Sequence, residues 1–356
     1  MNQHVVVIGG GENAEHDVSI ASAAGVAQAL RARGWAVDSL TIGRDGIWCA
    51  ESGPLGLGVA DSLAAAVALI GRADAVFPAV HGSLGEDGAL AALCALAHTS
   101  VVGSGLGAGA IGMDKWATKL VAEAIGIRVA RGRLISASDI GDEEYDGPVV
   151  VKPVSAGSSF GVSSVSDAGE LRHALHTAAE FDRRILIEEV VRGREIDVAV
   201  LREADGTRWA APPLEIRTSG LFDTETKYDG SAEFSVPAVL DAAEHAALVQ
   251  AALAMFDALG CSGVARIDFF LTADGPVLNE VNTMPGMTAA SQVPRMFAAA
   301  GVTYEDLVSR LVEAAATRAV SAPVGAEVGS SPGPRALTQG ELMNAHRGRP
   351  AGAPVS

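Results

Sequence analysis

The sequence predicts an α/β protein that begins with an open parallel sheet, and three observations support this prediction. An uninterrupted apolar run at 4–10 leads into glycines, as in a parallel strand that is covered on both faces. Helical and strand patterns then alternate up to about residue 105. The chain has 356 residues, of which 49% are hydrophobic and 19% charged, a composition typical of a globular protein with two or three domains.

The N-terminal part reads as a βαβαβ unit. After the first strand, a helix is predicted from Glu15 to about Arg33, with Asp17 or Ser19 as its N-cap and Gly34 at its end. The remaining elements of the unit are a strand, a helix and a strand, at 37–43, 61–71 and 74–82.

The rest of the chain alternates helices with pairs of strands. The predicted helices lie at 113–126, 170–181 and 240–259, and the predicted strand pairs at 147–166, 183–201 and 262–282. The last residues, from about 321, are rich in proline and glycine and predict a mobile tail. We therefore expect four parts, at 1–108, 109–187, 188–318 and 319–356.

Charge and cysteine content exclude several classes of function. The chain carries 43 acidic and 26 basic residues, a formal net charge of −17, which argues against a general nucleic-acid binder. Its three cysteines, Cys49, Cys94 and Cys261, lie far apart without a CxxC pattern, so neither a disulfide framework nor a zinc site is predicted. The sequence shows neither a signal-peptide pattern nor an apolar run of roughly 20 residues. We therefore expect a protein of the reducing cytoplasm that is not associated with a membrane.

One glycine motif suggests a dinucleotide site but stands in the wrong place. Residues 101–108 fit the pattern G-x-G-x-x-A with Gly103, Gly105 and Ala108. The dinucleotide fingerprint should open the first βα unit and lead to an acidic residue after the next strand. Here it follows several elements and precedes a helix with two lysines, so a dehydrogenase is disfavoured.

A lysine at a strand end and the loop after it form a better candidate. Lys152 ends an apolar strand, where an ammonium group is costly unless it meets an anion. The following loop, Gly157–Gly161, can present backbone N–H groups to phosphate oxygens. The alternative is an ordinary glycine hairpin with a lysine at its edge.

The hairpin at 262–282 predicts a metal site. Arg266 and Asp268 lie two apart on one strand, and Glu280 and Asn282 two apart on the next, so each pair shares a face. A three-residue loop, 273–275, would pair Asp268 with Glu280 and Arg266 with Asn282. Two carboxylates and an amide oxygen this close suit Mg²⁺ on nucleotide phosphates. A solvated polar face is the alternative, and an even-length loop would separate the pairs.

Polar residues at other strand ends complete the set. Glu188 and Glu189 follow an apolar run, with Glu195 close behind, and such groups can hydrogen-bond an adenine amino group and a ribose hydroxyl or can be solvated turn charges. His81 follows a strand, where ligands bind in open α/β sheets, although it can also be an ordinary loop histidine.

Taken together, eight ordered motifs give a specific pattern. They are GG-x4-EHDVS, HGSLGEDG, VGSG with MDK, VVKP with AGSS-x-G, IEE with G-x-E, ETKY, ARIDFF, and NEVNTMPGMT with S-x-VP. From residue 5 to about 315, the chain resembles the D-alanine–D-alanine ligase family, which has the ATP-grasp fold behind an N-terminal open-sheet domain.

The resemblance implies a cytoplasmic enzyme that joins two D-alanines for peptidoglycan. ATP phosphorylates the carboxylate of the first D-alanine, and the amine of the second then attacks the acyl phosphate. The implied cofactors are ATP and two Mg²⁺ ions, for which Mn²⁺ can substitute. The implied partners are small-molecule substrates and a second copy of the chain in a homodimer, with no nucleic acid and no membrane.

The resemblance also implies roles for individual residues. The nucleotide is held by Lys115, Lys152, Gly157, Ser159, Glu188, Glu189, Val191, Glu195 and Lys227. The metal ligands are Asp268, Glu280 and Asn282. The catalytic residues are Glu15, Ser158, Tyr228, Arg266 and Gly286, and the other substrate contacts are His81, Ser291 and Gln292.

Two positions bear on the second substrate. Tyr228 stands in ETKY, as in the dipeptide-forming members, and favours an amine over a hydroxyl. Gln292 replaces a usually apolar residue and must find a polar partner, which suggests an altered second site. A paralogous ligase with another second substrate, serving antibiotic synthesis or self-resistance, is therefore the alternative. A catalytically silent nucleotide-binding protein is disfavoured because the lysines and the hairpin are intact.

Overall fold

Three β-sheets organise the described part of the chain, residues 3–217 and 233–321, in the computed structural model. The first sheet contains β1 (His4–Gly10), β2 (Ala36–Ile42), β3 (Trp48–Ala50), β4 (Gly53–Pro54), β5 (Ala75–Pro78) and β6 (Ser100–Val101). Its order is β4-β3-β2-β1-β5-β6, with β1 parallel to both β2 and β5. Val5 to Ile8 are fully buried, which confirms a parallel strand covered on both faces.

Four helices follow the strands of this sheet. They are α1 (His16–Ala32), α2 (Val59–Ile70), α3 (Ala89–Leu96) and α4 (Leu106–Met113). The predicted N-cap of α1 is wrong, because Glu15 holds that position without a side-chain cap and both Asp17 and Ser19 lie inside the helix. The Ser19 hydroxyl instead donates to the Ala79 carbonyl and accepts from the Gly10 N–H, and so ties α1 to two strand ends.

The glycine motif at 101–108 has a packing explanation. Its end forms the start of α4, a helix that the sequence did not predict. Gly103 has a φ of +93°, and a Cβ there would come within 2.6 Å of the Met284 side chain. The backbone conformation therefore favours glycine, whereas the flexible end of Met284 could move aside for a Cβ.

The second sheet is antiparallel and carries Lys152. It contains β8 (Gly132–Ser136), β9 (Val149–Pro153), β10 (Ser163–Val165) and β11 (Arg184–Glu189), in the order β10-β9-β11-β8. Val151 and Ile187 pack against α6 (Ala168–Ala179) on one face. Because side chains alternate along a strand, Lys152 and Glu188 point to the opposite face. Helix α5 (Lys115–Ala124) precedes this sheet, and a 3-10 helix (Ala137–Asp142) follows β8.

The third sheet holds the predicted hairpin. Its members are β7 (Arg128–Val129), β12 (Arg194–Arg202), β13 (Arg208–Ala210), β14 (Leu214–Arg217), β15 (Glu233–Ser235), β16 (Val264–Thr272) and β17 (Gly275–Asn282). Their order is β15-β14-β12-β16-β17-β7, with β13 beside β12. Helix α7 (Ala242–Ala258) packs on β12, β16 and β17, and α8 (Gln292–Ala299) and α9 (Tyr304–Ser321) follow the hairpin.

The hairpin pairs as predicted, although its predicted loop is wrong. Thr272 pairs with Gly275, so the loop has two residues rather than three. A β-bulge then leaves Asn279 unpaired, and beyond it Asp268 faces Glu280 and Arg266 faces Asn282. One extra residue in one strand restores the register that an even-length loop would have lost.

The described residues up to Ala319 belong to one compact unit. Within the described part, no helix is both long enough and apolar enough to cross a bilayer.

Candidate active site

Two adjoining cavities contain most of the predicted site residues that the structure describes. The larger, about 630 Å³, is lined by strands of the second and third sheets and by two lysines of α5. The smaller, about 260 Å³, is lined by Glu15 and His81, the glycine loop and the segment 285–292. Arg266 and Glu280 line both cavities. A group passed from one cavity to the other would therefore meet these two side chains.

One end of the larger cavity is lined by buried lysines and by the acid that pairs with two of them. Glu188 accepts Lys152 and Lys119 on its two oxygens, each at 2.6 Å, and all three side chains are less than 10% exposed. Lys115 donates to the Ala156 carbonyl at 2.7 Å and lies 3.4 Å from Glu280. Three lysines that converge on one wall offer ammonium groups to a polyphosphate at this end of the cavity.

The pKa shifts in this cluster follow from burial and from neighbouring charges. Burial and the adjacent Lys152 lower the pKa of Lys119 to about 8, although Glu188 raises it. Burial raises the pKa of Glu188, but Lys152 and Lys119 together bring it below its ordinary value. Glu188 is therefore ionised at neutral pH and serves as the shared counter-charge.

Lys119 is a site residue that the sequence reasoning did not assign. It lies one helical turn after Lys115 on α5, and both lysines are buried on the face of the helix that meets the cavity. The i, i+4 spacing was visible in the sequence. Its partner Glu188, however, comes from a strand of another element, and that pairing had no local signal.

The bulged hairpin brings the predicted metal ligands together. Asp268 and Glu280 are cross-strand neighbours, and Asn282 donates to Asp268 at 2.9 Å. Within the described residues, no cluster of three or more His, Cys, Asp or Glu side chains is arranged to hold a metal. Two carboxylates and one amide are nevertheless hard oxygen donors of the type that Mg²⁺ shares with nucleotide phosphates, so this donor set fits the ion.

The bulge also aims a further polar side chain at the lysines. Asn279, the extra residue in β17, lines the larger cavity, and its side-chain oxygen accepts from Lys152 at 3.4 Å. A bulge commonly redirects a side chain beside a functional site. The sequence reasoning missed Asn279 because a loop of three residues would have given it a regular place in the strand.

The Arg266 side chain is held in place by Asp268 of the same strand. Its Nε and Nη2 donate to the two oxygens of Asp268, each at 2.7 Å, and its side chain is 12% exposed. Burial lowers the pKa of Arg266, but the charges of Asp268 and Asp197 raise it well above its ordinary value. The guanidinium is therefore a permanent cation between the two cavities.

The smaller cavity joins α1 to the glycine loop. Ser158 donates a hydrogen bond to the Glu15 carboxylate. Ser158 and Ser159 have φ angles of 46° and 57°, in the left-handed region that residues other than glycine rarely adopt. A Cβ on Gly157 would lie 2.8 Å from a Glu15 oxygen, so a side chain at this position would displace the Glu15 carboxylate.

His81 forms part of the wall of the smaller cavity. It is 3% exposed, with Nε2 at 3.0 Å from the Ser22 hydroxyl and Nδ1 at 3.4 Å from Glu86. Burial lowers the pKa of His81, but the hydrogen bond and charge of Glu86, together with the charge of Glu15, raise it above its ordinary value. The ring therefore holds its proton to a higher pH than a free histidine.

The loop after β17 carries Gly286 and Ser291. The Ser291 hydroxyl accepts from the Thr288 N–H at 3.1 Å, and a Cβ on Gly286 would lie 3.2 Å from it. Tyr304 holds the loop from α9 by donating to the Met287 carbonyl at 2.6 Å. This segment of the wall is therefore ordered by contacts within itself and from outside.

The other predicted residues divide into two groups. Four of them line the larger cavity, namely Ser159, Glu189, Val191 and Glu195. Two others, Lys227 and Tyr228, fall outside the described residues, as does the predicted tail from 322 onward.

Comparisons with known proteins point to one family. A model described as the D-ala D-ala ligase N-terminus matches residues 4–104, and one described as the D-ala D-ala ligase C-terminus matches residues 137–313. A D-alanine–D-alanine ligase of Mycobacterium avium is 37% identical over 89% of this chain and 97% of that protein. One of Corynebacterium diphtheriae is 35% identical over 87% of this chain and 94% of that protein.

Solved structures agree with the sequence comparisons. The D-Ala:D-Ser ligase VanG of Enterococcus faecalis has a TM-score of 0.74 at 31% identity, over 88% of this chain and 99% of that one. The D-alanine–D-alanine ligase of Coxiella burnetii has a TM-score of 0.74 at 30% identity, over 90% of this chain and 95% of that one.

Proposed function

The chain belongs to the D-alanine–D-alanine ligase family, and from that premise we propose how its own residues carry out the reaction. The protein is an ATP-dependent ligase with the ATP-grasp fold, and it joins two D-alanines into the dipeptide used in peptidoglycan precursors. One observation carries the proposed assignment of residues. Arg266 and Glu280 stand in both cavities, with lysines in the larger and the Glu15–Ser158 pair in the smaller.

The larger cavity takes ATP. Lys115 and Lys152 bind its phosphates, the backbone of Gly157 and Ser159 closes over them, and Lys227 approaches the γ-phosphate. Glu188, Glu189, Val191 and Glu195 bind the adenosine. In this assignment Lys119 offsets the charge of Glu188 and keeps its carboxylate in place for the base. Phosphoryl transfer depends chiefly on positioning and charge neutralisation, which these residues supply.

Asp268, Glu280 and Asn282 would hold two Mg²⁺ ions, with Mn²⁺ as a substitute. When bound, these ions neutralise the charge on the transferring phosphoryl group. The support is the donor chemistry of the hairpin and its position in the wall of the lysine-lined cavity.

The smaller cavity takes the amino acids. Glu15, with Ser158 and Tyr228, receives the ammonium group of the first D-alanine, and His81 lies near that substrate. Ser291 binds the carboxylate of the second D-alanine, in a wall that also contains Gln292. The raised pKa of His81 shifts the ring toward its protonated form, which would suit the carboxylate of the substrate.

Two bond changes link the cavities. A carboxylate oxygen of the first D-alanine attacks the γ-phosphorus, and ADP leaves. The amine of the second D-alanine then attacks the acyl carbon, and phosphate leaves after the amine loses a proton. Arg266 and the Gly286 N–H stabilise the oxyanion of the tetrahedral intermediate, because preorganised donors are effective where charge develops.

The wider setting is also proposed. We assign 1–108 to a first-substrate domain, 109–187 to a central subdomain and 188–318 to a metal and second-substrate domain, and we place a homodimer in the cytoplasm. A ligase with another second substrate is not favoured, since the Mycobacterium avium and Corynebacterium diphtheriae relatives are both D-alanine–D-alanine ligases.

The test is a coupled assay with ATP, Mg²⁺ and D-alanine. We expect release of phosphate that depends on D-alanine, and D-alanyl-D-alanine as the product identified by mass spectrometry. L-Alanine is the control substrate and should give no dipeptide. Absence of turnover with D-alanine would contradict the proposal.

A further inference from the structure

From the sequence, we expect the polar side chain of Gln292 to need a hydrogen-bond partner. In the structure, both the oxygen and the nitrogen of its amide have one. Its Oε1 accepts from Nη1 of Arg266 at 2.7 Å, and its Nε2 donates to Oδ2 of Asp197 at 2.9 Å. Because arginine can only donate, the orientation of the amide follows from Arg266. The amide is therefore a bridge between the cation and a second acid.

The second acid, Asp197, was not among the site residues predicted from the sequence. Asp197 lies in β12 directly opposite Asp268 and is 1% exposed. Its Oδ2 lies 3.4 Å from the Arg266 Nε and also accepts from Gln292. A buried carboxylate costs free energy unless it is paired. Asp197 has two polar neighbours that offset this cost, at a strand position that an apolar residue could otherwise occupy.

Arg266 needs an anchor besides Asp268. Asp268 takes Nε and Nη2, but it is also a proposed metal ligand and is therefore not reserved for the arginine. Gln292 takes Nη1, on the remaining edge of the guanidinium. A planar cation bound along both edges by residues of two elements, β16 and α8, has a fixed direction.

We propose that Gln292 and Asp197 are positioning residues that hold the Arg266 guanidinium toward the oxyanion of the tetrahedral intermediate. Gln292 acts on Arg266, and Asp197 acts on Arg266 both through Gln292 and directly at 3.4 Å. This inference rests on the proposed function of Arg266, and it gives the polar side chain at 292 a task other than contact with the second substrate.

The first test is Gln292→Leu, with Gln250→Leu on the exposed face of α7 as the matched control. Loss of a hydrogen bond to a charged group should lower kcat about 10- to 100-fold. The KM for ATP should stay within about two-fold, because the phosphate-binding lysines are untouched. The control should keep both values. A kcat of Gln292→Leu within two-fold of the wild-type value would overturn the proposal.

A second readout separates positioning from a general structural role. A phosphinate analogue of the dipeptide, which mimics the tetrahedral intermediate, should lose affinity in Gln292→Leu by about the same factor as kcat. The product dipeptide, which is planar at the same carbon, should bind within two-fold of its wild-type affinity. Equal losses for the analogue and the product would contradict positioning of Arg266.

A swap of the two side chains tests Asp197. Gln292→Glu alone places a second carboxylate beside Asp197 and should lower kcat as Gln292→Leu does. In D197N/Q292E the asparagine amide donates to the new carboxylate, which in turn accepts from Arg266, so both contacts of the bridge are restored. We expect this variant to recover at least ten-fold over Q292E. Lack of recovery would overturn the role of Asp197, and the swap remains informative if the leucine variant does not fold.

Substrate choice distinguishes positioning from direct recognition. With D-alanine, D-serine and D-lactate as second substrates, Gln292→Leu should lower every measurable kcat by a similar factor. A change of preference without a common loss would show that Gln292 contacts the second substrate, contrary to the proposal. If the wild-type protein does not turn over at all, the proposed function fails rather than this inference.

Discussion

Lys119 and Glu188 form a buried ion pair, with 2.6 Å between Nζ and Oε1 and 4% exposure of each side chain. Lys152 lies at the same distance from the other Glu188 oxygen. One carboxylate therefore serves as counter-charge for two buried ammonium groups, and removal of the acid leaves more unpaired charge behind than removal of Lys119.

The first prediction uses that inequality. Glu188→Gln leaves two buried lysines without their counter-charge and should lower the free energy of unfolding by about 3 kcal/mol or more. Lys119→Met leaves Glu188 paired with Lys152 and should cost about 1 kcal/mol or less, since the pKa of Lys119 is already lowered to about 8. Urea unfolding of the ligand-free protein at pH 7 measures both.

Glu189→Gln is the matched control. Glu189 is the next residue and pairs with Arg131, but its side chain is 45% exposed and that of Arg131 92%. Exposed pairs contribute little, so we expect a change within about 0.5 kcal/mol. A loss for Lys119→Met equal to that for Glu188→Gln would contradict the assignment of Glu188 as the shared counter-charge.

The second prediction concerns pH and Glu86. Glu86 raises the pKa of His81, so a folded protein with this pair holds a proton more tightly than the unfolded chain. The stabilisation should be fully present below the unfolded pKa of about 6.5 and be lost as pH rises through the raised folded value. In Glu86→Gln the dependence on pH across this window should weaken.

Thermal unfolding from pH 5 to 9 measures this difference, and NMR titration of the His81 ring measures the pKa itself. His245→Gln, at an exposed position of α7, is the control and should follow the wild-type profile. A His81 pKa that does not fall in Glu86→Gln would refute the assigned cause.

The sequence predicted those parts of the site that follow from local periodicity. The two hairpin pairs follow from residues spaced two apart on each strand, because alternation along a strand puts such residues on one face. The bulge at Asn279 could not be predicted, because it changes the count of residues without leaving a compositional signal. The correct pairing was obtained with a wrong loop, since one bulged residue and one extra loop residue have the same effect on register.

The missed residues share a different cause. Lys119, Asp197 and Asn279 each act through a partner on another strand or helix. Gln292 was noticed as unusual, but its partners come from β12 and β16, so its contacts depend on tertiary packing. The ATP-grasp fold and the ligase family were recognised from ordered motifs, which do not report such pairings.

The third prediction tests the metal hairpin. Glu280→Gln removes a charged oxygen donor while keeping its size, so turnover should fall more than 100-fold and the Mg²⁺ concentration for half-maximal rate should rise. Thermal stability without ligands should change much less than in Glu188→Gln, because the Glu280 side chain is 23% exposed and Lys115 keeps its hydrogen bond to the Ala156 carbonyl. Titration of activity against Mg²⁺ and a ligand-free melting curve measure the two effects.

Glu123→Gln, an exposed carboxylate of α5, is the matched control and should leave rate and Mg²⁺ dependence unchanged. A Glu280→Gln variant with near wild-type turnover at low Mg²⁺ would show that the hairpin is not the metal site.

The last prediction concerns the bond between Ser158 and Glu15, which closes the glycine loop on α1. Ser158→Ala removes the bond but keeps the left-handed backbone, whereas Ser158→Gly removes the bond and also the cost of about 1–2 kcal/mol that a side chain pays there. Both should lower kcat/KM for the first D-alanine about ten-fold or more, the glycine variant less. Ser138→Ala, an exposed serine that donates to Asp139, should have no effect.

A double-mutant cycle with Glu15→Gln then tests whether the two side chains act as one unit. If Glu15 receives the substrate's ammonium group in an orientation that Ser158 fixes, E15Q/S158A should be little worse than the worse single variant, because the second change removes an interaction already lost. Independent roles would instead multiply the two losses in kcat/KM. Steady-state kinetics with D-alanine varied under saturating ATP measures the cycle, and multiplied losses would mean that Ser158 acts on the loop without orienting Glu15.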